Sequence, residues 1–329
     1  MSRTLVTRAL NNAPGVAEKT RKRILETAQR LGYHALTNRE AKMLIRRRYQ
    51  RPLHTGVIAV LFRAINNNSL FDEPFFRPVL RGIDRETAQA GVDVIFSLAR
   101  EGHGLRMLEP GVVDGVLCLS PSWARLSNIH ERKFPVVSLG FELHGWHGVV
   151  PNDAEGINQA TRHLINQGCR RLAYVGPTQG PTATIPRRHH AFRTTLRRAG
   201  LTDLYGAFSR GIQLLSQDEN EAQIRERWAL LPARQRPDGL VCYNDALAMG
   251  TVRAIESLKG LIPEDVKVVG FDAWSEEVDF DPVITSMGFD RELMGREAVR
   301  TLLRLRDKGQ NLSPEVVHLP VVFKAGATA

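Results

Sequence analysis

The sequence lacks any run of the roughly 18–20 apolar residues that a membrane-spanning helix requires, and no apolar stretch follows its first charges as a secretion leader would need. A protein of the cytoplasm, with no membrane partner, is the expectation. Cysteine is scarce: Cys118, Cys169 and Cys242 are odd in number and widely spaced, which points to buried reduced thiols rather than a disulfide framework or a zinc site. Also missing are G-x-x-x-x-G-K-[ST], G-x-S-x-G, H-E-x-x-H and a G-x-G-x-x-G after the first strand. Their absence weighs against an NTPase, a hydrolase or a dinucleotide enzyme without excluding every enzyme. His144 and His147 stand three apart beside Trp146, but Gly145 breaks any helix there and no third ligand is near. They read as a loop, and neither a metal nor a cofactor is expected. His189 and His190 read as part of a polar helix start.

Acidic residues are scarce in one place only. Residues 1–51 hold 3 Asp+Glu against 13 Lys+Arg, and the chain totals of 35 and 45 leave 32 of each sign in residues 52–329. The whole excess of +10 therefore belongs to a short basic head on a neutral body. A head of this kind seeks a polyanion, either nucleic acid or an anionic membrane surface.

What is present in the body is an alternation. Short β-branched runs (Val57–Phe62, Val92–Leu98, Gly115–Leu119, Val136–Leu139, Leu172–Val175, Gly239–Tyr243, Val266–Phe271) alternate with segments of helical period (Pro74–Ala90, Glu155–Gln167, Arg187–Ala199, Ala246–Lys259, Arg291–Lys308). This is the βαβα grammar of a parallel sheet covered by helices. Gly91, Gly168, Gly200, Gly260 and Gly309 each follow a helical stretch, where a left-handed residue ends the helix. About 275 residues of such alternation suit two doubly wound α/β sheets side by side rather than one. A ligand then belongs in the crevice at the carboxyl ends of the strands. In the head, Thr4–Asn11 reads as a short helix and Glu18–Leu31 as a second, with Ile24, Leu25, Ala28 and Leu31 on one face.

Specific strings then narrow the field. Ser2–Asn11 (SRTLVTRALN), Pro14–Val16 (PGV), Thr20–Ile24 (TRKRI) and Leu31–Tyr33 (LGY) closely resemble the helix-turn-helix head of the lactose-repressor (LacI/GalR) family of bacterial transcription regulators. Asn38–Leu44 (NREAKML) resembles its hinge helix. Through the body, Asp114–Leu117, Pro135–Val137, Asn152–Gly156, His163–Gly168, Arg171–Gly176, Pro237–Val241, Asn244–Gly250, Ile262–Asp272 and Gly295–Ala298 resemble family landmarks in the same order and spacing.

The resemblance implies a homodimer or tetramer that binds double-stranded operator DNA and a small effector, most often a sugar or sugar derivative, and that is not an enzyme. It implies a truncated helix-turn-helix head over residues 1–52 with a hinge helix at about 38–45, then an effector domain over 53–329. That domain would be a periplasmic-binding-protein-like pair: an N-subdomain (about 55–163 and 287–311) and a C-subdomain (about 164–286 and 312–329). Arg3, Thr4 and Arg8 map to the recognition helix, where an arginine fork suits guanine. Leu44 maps to the hinge leucine that wedges into the minor groove, and Arg46 stands beside it among phosphate-clamping arginines. Effector contacts map onto Asp153, Arg188, Asn244 and Asp272, whose carboxylates and donors fit a polyhydroxylated ligand. Phe75, Phe76 and Phe289 are candidates for an apolar wall.

Several residues keep a second reading. Asp245 reads as a helix cap in preference to a ligand contact, Asp153 reads in part as a cap for the helix starting at Glu155, and Phe75 or Phe76 reads as core. Two departures accompany the resemblance. The family's first helix has no counterpart before Ser2, for which a valine start codon taken too late is the leading explanation. Two extra residues separate Tyr33 from Asn38, and the usual proline there is absent. Two rivals to a regulator remain on the sequence, a solute receptor without a DNA role and an enzyme on the same scaffold. In-frame translation upstream of Met1 discriminates the first rival.

Overall fold

The computed structural model describes residues 2–10, 14–30, 54–62, 73–98, 109, 111–119, 135–204, 212, 217–308 and 313–329. Leu44, Arg46 and the expected hinge helix lie outside the described residues, as does the side chain of Arg3. In chain order the elements are α1 (Arg3–Leu10), α2 (Glu18–Arg30), β1 (Val57–Phe62), α3 (Phe76–Ala90), β2 (Asp93–Leu98), β3 (Val116–Cys118), β4 (Val136–Leu139), β5 (His147–Pro151), α4 (Asp153–Asn166) and β6 (Leu172–Val175). There follow α5 (Thr184–Arg198), α6 (Gln217–Leu230), β7 (Gly239–Cys242), α7 (Asp245–Ser257), β8 (Lys267–Phe271), β9 (Thr285–Gly288), α8 (Arg291–Lys308), β10 (Val316–Leu319) and β11 (Val322–Lys324).

The two head helices make a small core of their own. Ala9, Val16 and Ile24 are buried, with Leu5, Val6 and Leu10 packed against them. Eight residues of helix are too few to persist alone in water, so α1 depends on this contact with α2. Leu25, which periodicity puts on the same face as Ile24, is instead 45% exposed.

The body holds two sheets, ordered β10-β5-β4-β3-β1-β2 and β11-β9-β8-β7-β6. Every pairing is parallel except β11 with β9. Helices cover both, and the strands are correspondingly apolar on both faces: Ile58 to Val60, Val116 to Cys118 and Leu172 to Val175 are all fully buried. Two doubly wound α/β units are thus present as the alternation implies.

Strand pairing puts the crossings between units after β5, after β9 and between β10 and β11: the second agrees with the expected boundary near 286/287, whereas 163/164 moves to between Pro151 and Asp153 and 311/312 to between Leu319 and Val322. Helix α4, assigned to the first unit, packs on β7, β8, β9 and β11 of the second, and β10 pairs with β5 of the first. The reason is that helical periodicity looks the same whichever sheet the helix covers. Sheet membership is decided by strand pairing between residues far apart in sequence.

Gly91, Gly168 and Gly200 take φ of +63°, +90° and +69° at helix ends as anticipated, but at the fourth site Lys259 carries the positive φ, +60°, and Gly260 does not. Gly309 lies outside the described residues. Cys118, Cys169 and Cys242 are buried. No helix among the described residues is long and apolar enough to cross a membrane.

Candidate functional site

The crevice between the units is built around Arg188, in the second turn of α5. That helix starts at Thr184, three residues before the expected Arg187, because Pro186 is tolerated in a first turn where its missing N–H costs nothing. Arg188 is only 3% exposed. Its Nε donates to Asp153 Oδ1 at 2.7 Å, an Nη donates to the Tyr243 carbonyl at 2.5 Å, and the other stands 3.8 Å from Asp272 Oδ1. The guanidinium lies over the Phe271 ring at 3.8 Å and the Tyr243 ring at 4.6 Å from their centroids. A delocalised cation between two aromatic faces keeps attraction that bulk water would otherwise supply.

Each partner arrives from a different element. Asp153 opens α4, Asp272 follows the last residue of β8, and Tyr243 follows β7. Three of the expected effector residues, Asp153, Arg188 and Asp272, are therefore brought together although up to 119 positions separate them. Asp153 is 1% exposed, and its Oδ2 is buried with no well-formed hydrogen bond among the described residues. Burial raises the Asp153 carboxyl above its ordinary range, with Arg188 pulling the other way. Burial likewise pushes Asp272 up to about 7, against Arg188 and with help from Asp245. For Arg188 burial opposes the charge, yet Asp153, Tyr243 and Asp272 outweigh it and hold the guanidinium ionised. The arrangement offers fixed acceptors for hydroxyl donors beside one fixed cation.

The helix cap expected of Asp245 is made by its neighbour Asn244. The Asn244 side chain caps α7, accepting from Leu247 N at 3.0 Å, so its oxygen is already engaged. Asp245 is buried behind the crevice and ties α7 to the turn after β8. Asp153 is no cap either: Asn152 accepts from Glu155 N at 3.3 Å.

The aromatic candidates form a connected column. Phe75 meets Phe76 edge-on with centroids 5.0 Å apart, Phe289 stands 6.2 Å from Phe75, and Phe271 stands 6.5 Å from Phe289. Phe75 and Phe76 are partly buried against the main core, in line with the core reading. The column runs from the start of α3 in the first unit to the Arg188 shelf in the second. Two polar ties span the same gap. Arg187 pairs with Glu142 at 2.6 Å, and Arg291 pairs with Glu277 while donating to the Pro74 carbonyl at 3.1 Å.

Sequence reading missed Tyr243, Phe271, Glu142, Glu277 and Arg291. The available signal was position: Tyr243 and Phe271 each directly precede an expected ligand residue at a strand's carboxyl end. In the head, Thr4 is exposed, whereas Arg8 turns back to donate to the Pro14 carbonyl at 2.5 Å. Among the described residues no group of three or more His, Cys, Asp or Glu could hold a metal. His147 accepts from Glu315 N at 3.1 Å through Nδ1.

Comparison with known proteins follows the same lines. A family model described as a periplasmic binding protein-like domain matches residues 161–328, half of the chain. The HTH-type transcriptional repressor PurR of Aliivibrio salmonicida (strain LFI1238) is 26% identical, covering 98% of this chain and 96% of its own. The HTH-type transcriptional regulator CelR of Thermobifida fusca is 29% identical, covering 95% and 91%. Among solved structures, a transcriptional regulator CelR–cellobiose complex superposes with a TM-score of 0.70 at 24% identity, over 100% of this chain and 96% of that one. The lac repressor dimer bound to operator and the anti-inducer ONPF superposes at 0.73 and 20%, over 100% and 95%.

Proposed function

Because the chain belongs to the lactose-repressor family, with a periplasmic binding protein-like domain as its body, we propose that it is a ligand-responsive transcriptional repressor whose effector is a sugar held between the two units. The observation that carries this reading is the buried Arg188 tied to Asp153 and facing Asp272 at the strand ends. Paired carboxylates accept from neighbouring hydroxyls, the guanidinium donates to a ring or glycosidic oxygen, and the Phe75–Phe289 wall covers an apolar sugar face. Asn244 contributes through its backbone and its position beside Tyr243. The similarity to a regulator solved with cellobiose, and to another solved with ribose, supports this ligand class.

In the head, Arg3, Thr4 and Arg8 would address base edges and phosphates, with Leu44 and Arg46 at the hinge. Arg8 has to leave Pro14 to do so, an exchange of one hydrogen bond for a charge-assisted one. Two copies are needed for a two-fold operator. Support for a dimer contact comes from edge strand β2, where Ile95 and Phe96 are 40% and 41% exposed. Such a protein works in the cytoplasm and needs no catalytic group.

Effector and DNA are coupled through the difference in effector affinity between two arrangements of the units, typically about 1–3 kcal/mol. A thermal-shift screen of the full chain against monosaccharides and disaccharides, cellobiose and D-ribose included, tests the site. At least one sugar should raise the Tm of the wild type and leave Asp272→Asn unmoved. Its affinity should fall as pH drops through about 7, because protonating Asp272 removes an acceptor that a sugar hydroxyl needs. A sugar that stabilised both proteins equally would remove Asp272 from the site.

A further inference from the structure

The turn that presents Asp272 is unusual in its backbone. Asp272 and Ala273 take φ of +99° and +52° in succession, a region that costs an L residue about 1–3 kcal/mol each and persists only where the surroundings impose it. Three N–H groups in a row are held from outside the turn. Asp272 N donates to the Met287 carbonyl at 2.8 Å, Ala273 N to Ser286 Oγ at 3.2 Å, and Trp274 N to Asp245 Oδ2 at 2.8 Å. Ser286 Oγ in turn donates to Asp245 Oδ1 at 2.6 Å. Both oxygens of Asp245 are thus engaged, one directly on the turn and one through Ser286.

Local capping does not account for this carboxylate: Asp245 is 0% exposed and α7 is capped by Asn244, while the Ser275 backbone adds a further bond to Asp245 from the same turn. A Cβ at position 270 would stand 2.3 Å from Asp245 Oδ1, so Gly270 leaves room for it. The turn it fixes carries two crevice groups: Asp272, facing Arg188, and Glu277, paired with Arg291 of the first unit. Burial pushes the Asp245 carboxyl up to about 6 despite its bonds to Ser286 and Trp274, so the charge is kept at a cost.

We propose that Asp245 is a positioning residue for effector binding: without touching the effector, it holds the left-handed turn Asp272–Ala273–Trp274 in the shape that presents Asp272 to the crevice. The proposal rests on the reading of that crevice as the sugar site. An asparagine at 245 keeps one acceptor oxygen, for Trp274 N, and can meet Ser286 Oγ only as a donor through Nδ2, so it loses the negative charge and the bond that Ser286 gives to the carboxylate. An alanine at 286 leaves the carboxylate in place and removes only the indirect arm.

Amide hydrogen exchange on the full-length, sugar-free protein reads the turn itself. Asp245→Asn should speed exchange across 272–278 by about tenfold or more, the equivalent of one hydrogen bond to a charged group, with β6, β7 and β8 unchanged. Ser286→Ala should speed the same segment by about threefold, and it decides the matter if Asp245→Asn does not fold. A purely structural role would instead accelerate the whole second sheet together, and that result, or no change at 272–278, overturns the proposal. Titrations with cellobiose and with D-ribose supply the functional arm. Whichever of them binds the wild type should bind Asp245→Asn about tenfold or more weakly, and equal affinity overturns the positioning role. If neither binds the wild type, the failure falls on these sugars as effectors, while the exchange experiment still decides what Asp245 does.

Discussion

Arg188→Ala should cost about 3–5 kcal/mol of folding free energy, the usual penalty for breaking a buried ion pair from one side, and should abolish sugar binding. The side chain is 3% exposed and is the shared partner of Asp153 and Asp272, which are 1% and 8% exposed. Removing it leaves two buried carboxylates without the guanidinium they share, and a void beside the Phe271 ring. The loss is a large share of the roughly 5–15 kcal/mol that holds a typical domain folded. Its pH dependence has a definite sign. Both carboxyl groups are raised above their ordinary values in the fold, and removing the arginine raises them further. A raised carboxyl stabilises the fold at low pH and loses that contribution as pH rises through the folded value. The Tm gap between wild type and Arg188→Ala should therefore be widest at about pH 8 and above, narrow as pH falls toward about 7, where Asp272 of the wild type protonates, and narrow further toward pH 5 as Asp153 does. Calorimetric scans across that range check it, and a gap independent of pH would mean that lost packing, not unpaired charge, carries the cost.

Gly82→Ala and Gly295→Ala should each destabilise by about 3 kcal/mol, at the upper end for overpacking a well-filled core. At Gly82 a Cβ would stand 2.0 Å from the Glu292 carbonyl oxygen, and at Gly295 it would stand 2.1 Å from that of Val79. These are backbone atoms and cannot swing away, so α3 and α8 would have to separate. The crossing is also fastened by charge, with Arg296 and Arg300 on Glu86 at 3.3 and 2.9 Å. Because both glycines serve one crossing, the double variant should cost about as much as the worse single variant instead of the sum. Gly91→Ala is the control: its φ is +63° but nothing lies within 4 Å, so only the left-handed backbone is penalised, by about 1–2 kcal/mol. Additive costs at 82 and 295 in urea melts would show two separate contacts.

The crossing matters because of what its two helices touch. Both α3 and α8 begin at the crevice, near Phe75 and at Arg291. Over 18 residues, about 27 Å of helix, α8 reaches the place where the chain enters the body. There Arg306 stands 3.9 Å from Asp114, whose carboxylate accepts from Thr55 N at 2.5 Å and Gly56 N at 2.9 Å. His54 faces Asp307 at 3.7 Å. A packed pair of helices thus joins the crevice to residues 54–56, where the described part of the body begins.

Periodicity in the sequence located β1 to β4, β6 to β8 and the covering helices to within a few residues, because buried parallel strands announce themselves as β-branched runs. It missed β5, β9, β10 and β11, which are short: the first three also carry glycine, histidine or threonine, and β11 has only three residues. It missed α6 as well. That helix carries charge on every side, and its buried contacts reduce to Asn220, Ile224 and Trp228, four apart along one narrow stripe. The charged centre of the crevice was legible through the family resemblance, which pointed to Asp153, Arg188 and Asp272; of these, Arg188 and Asp272 also stood out as charges with little local structural work, whereas Asp153 kept a cap reading as well. Asp245 reads as the α7 cap because adjacent residues at a helix start both satisfy the capping pattern, and only the 272–275 turn, distant in sequence, reveals where its carboxylate is bound. The first and third crossings between units were illegible for the same reason: local pattern fixes an element, whereas its partner sheet is a long-range choice.

The most direct test joins the two ends of the molecule. The full chain is used to select its preferred double-stranded DNA site from random sequence, and its affinity for that site is measured at about 150 mM salt with and without a saturating sugar from the thermal-shift screen. The account predicts a change of about 5- to 150-fold, the range of a 1–3 kcal/mol coupling, and its loss in Asp272→Asn. An identical DNA affinity with the crevice empty and occupied would contradict it.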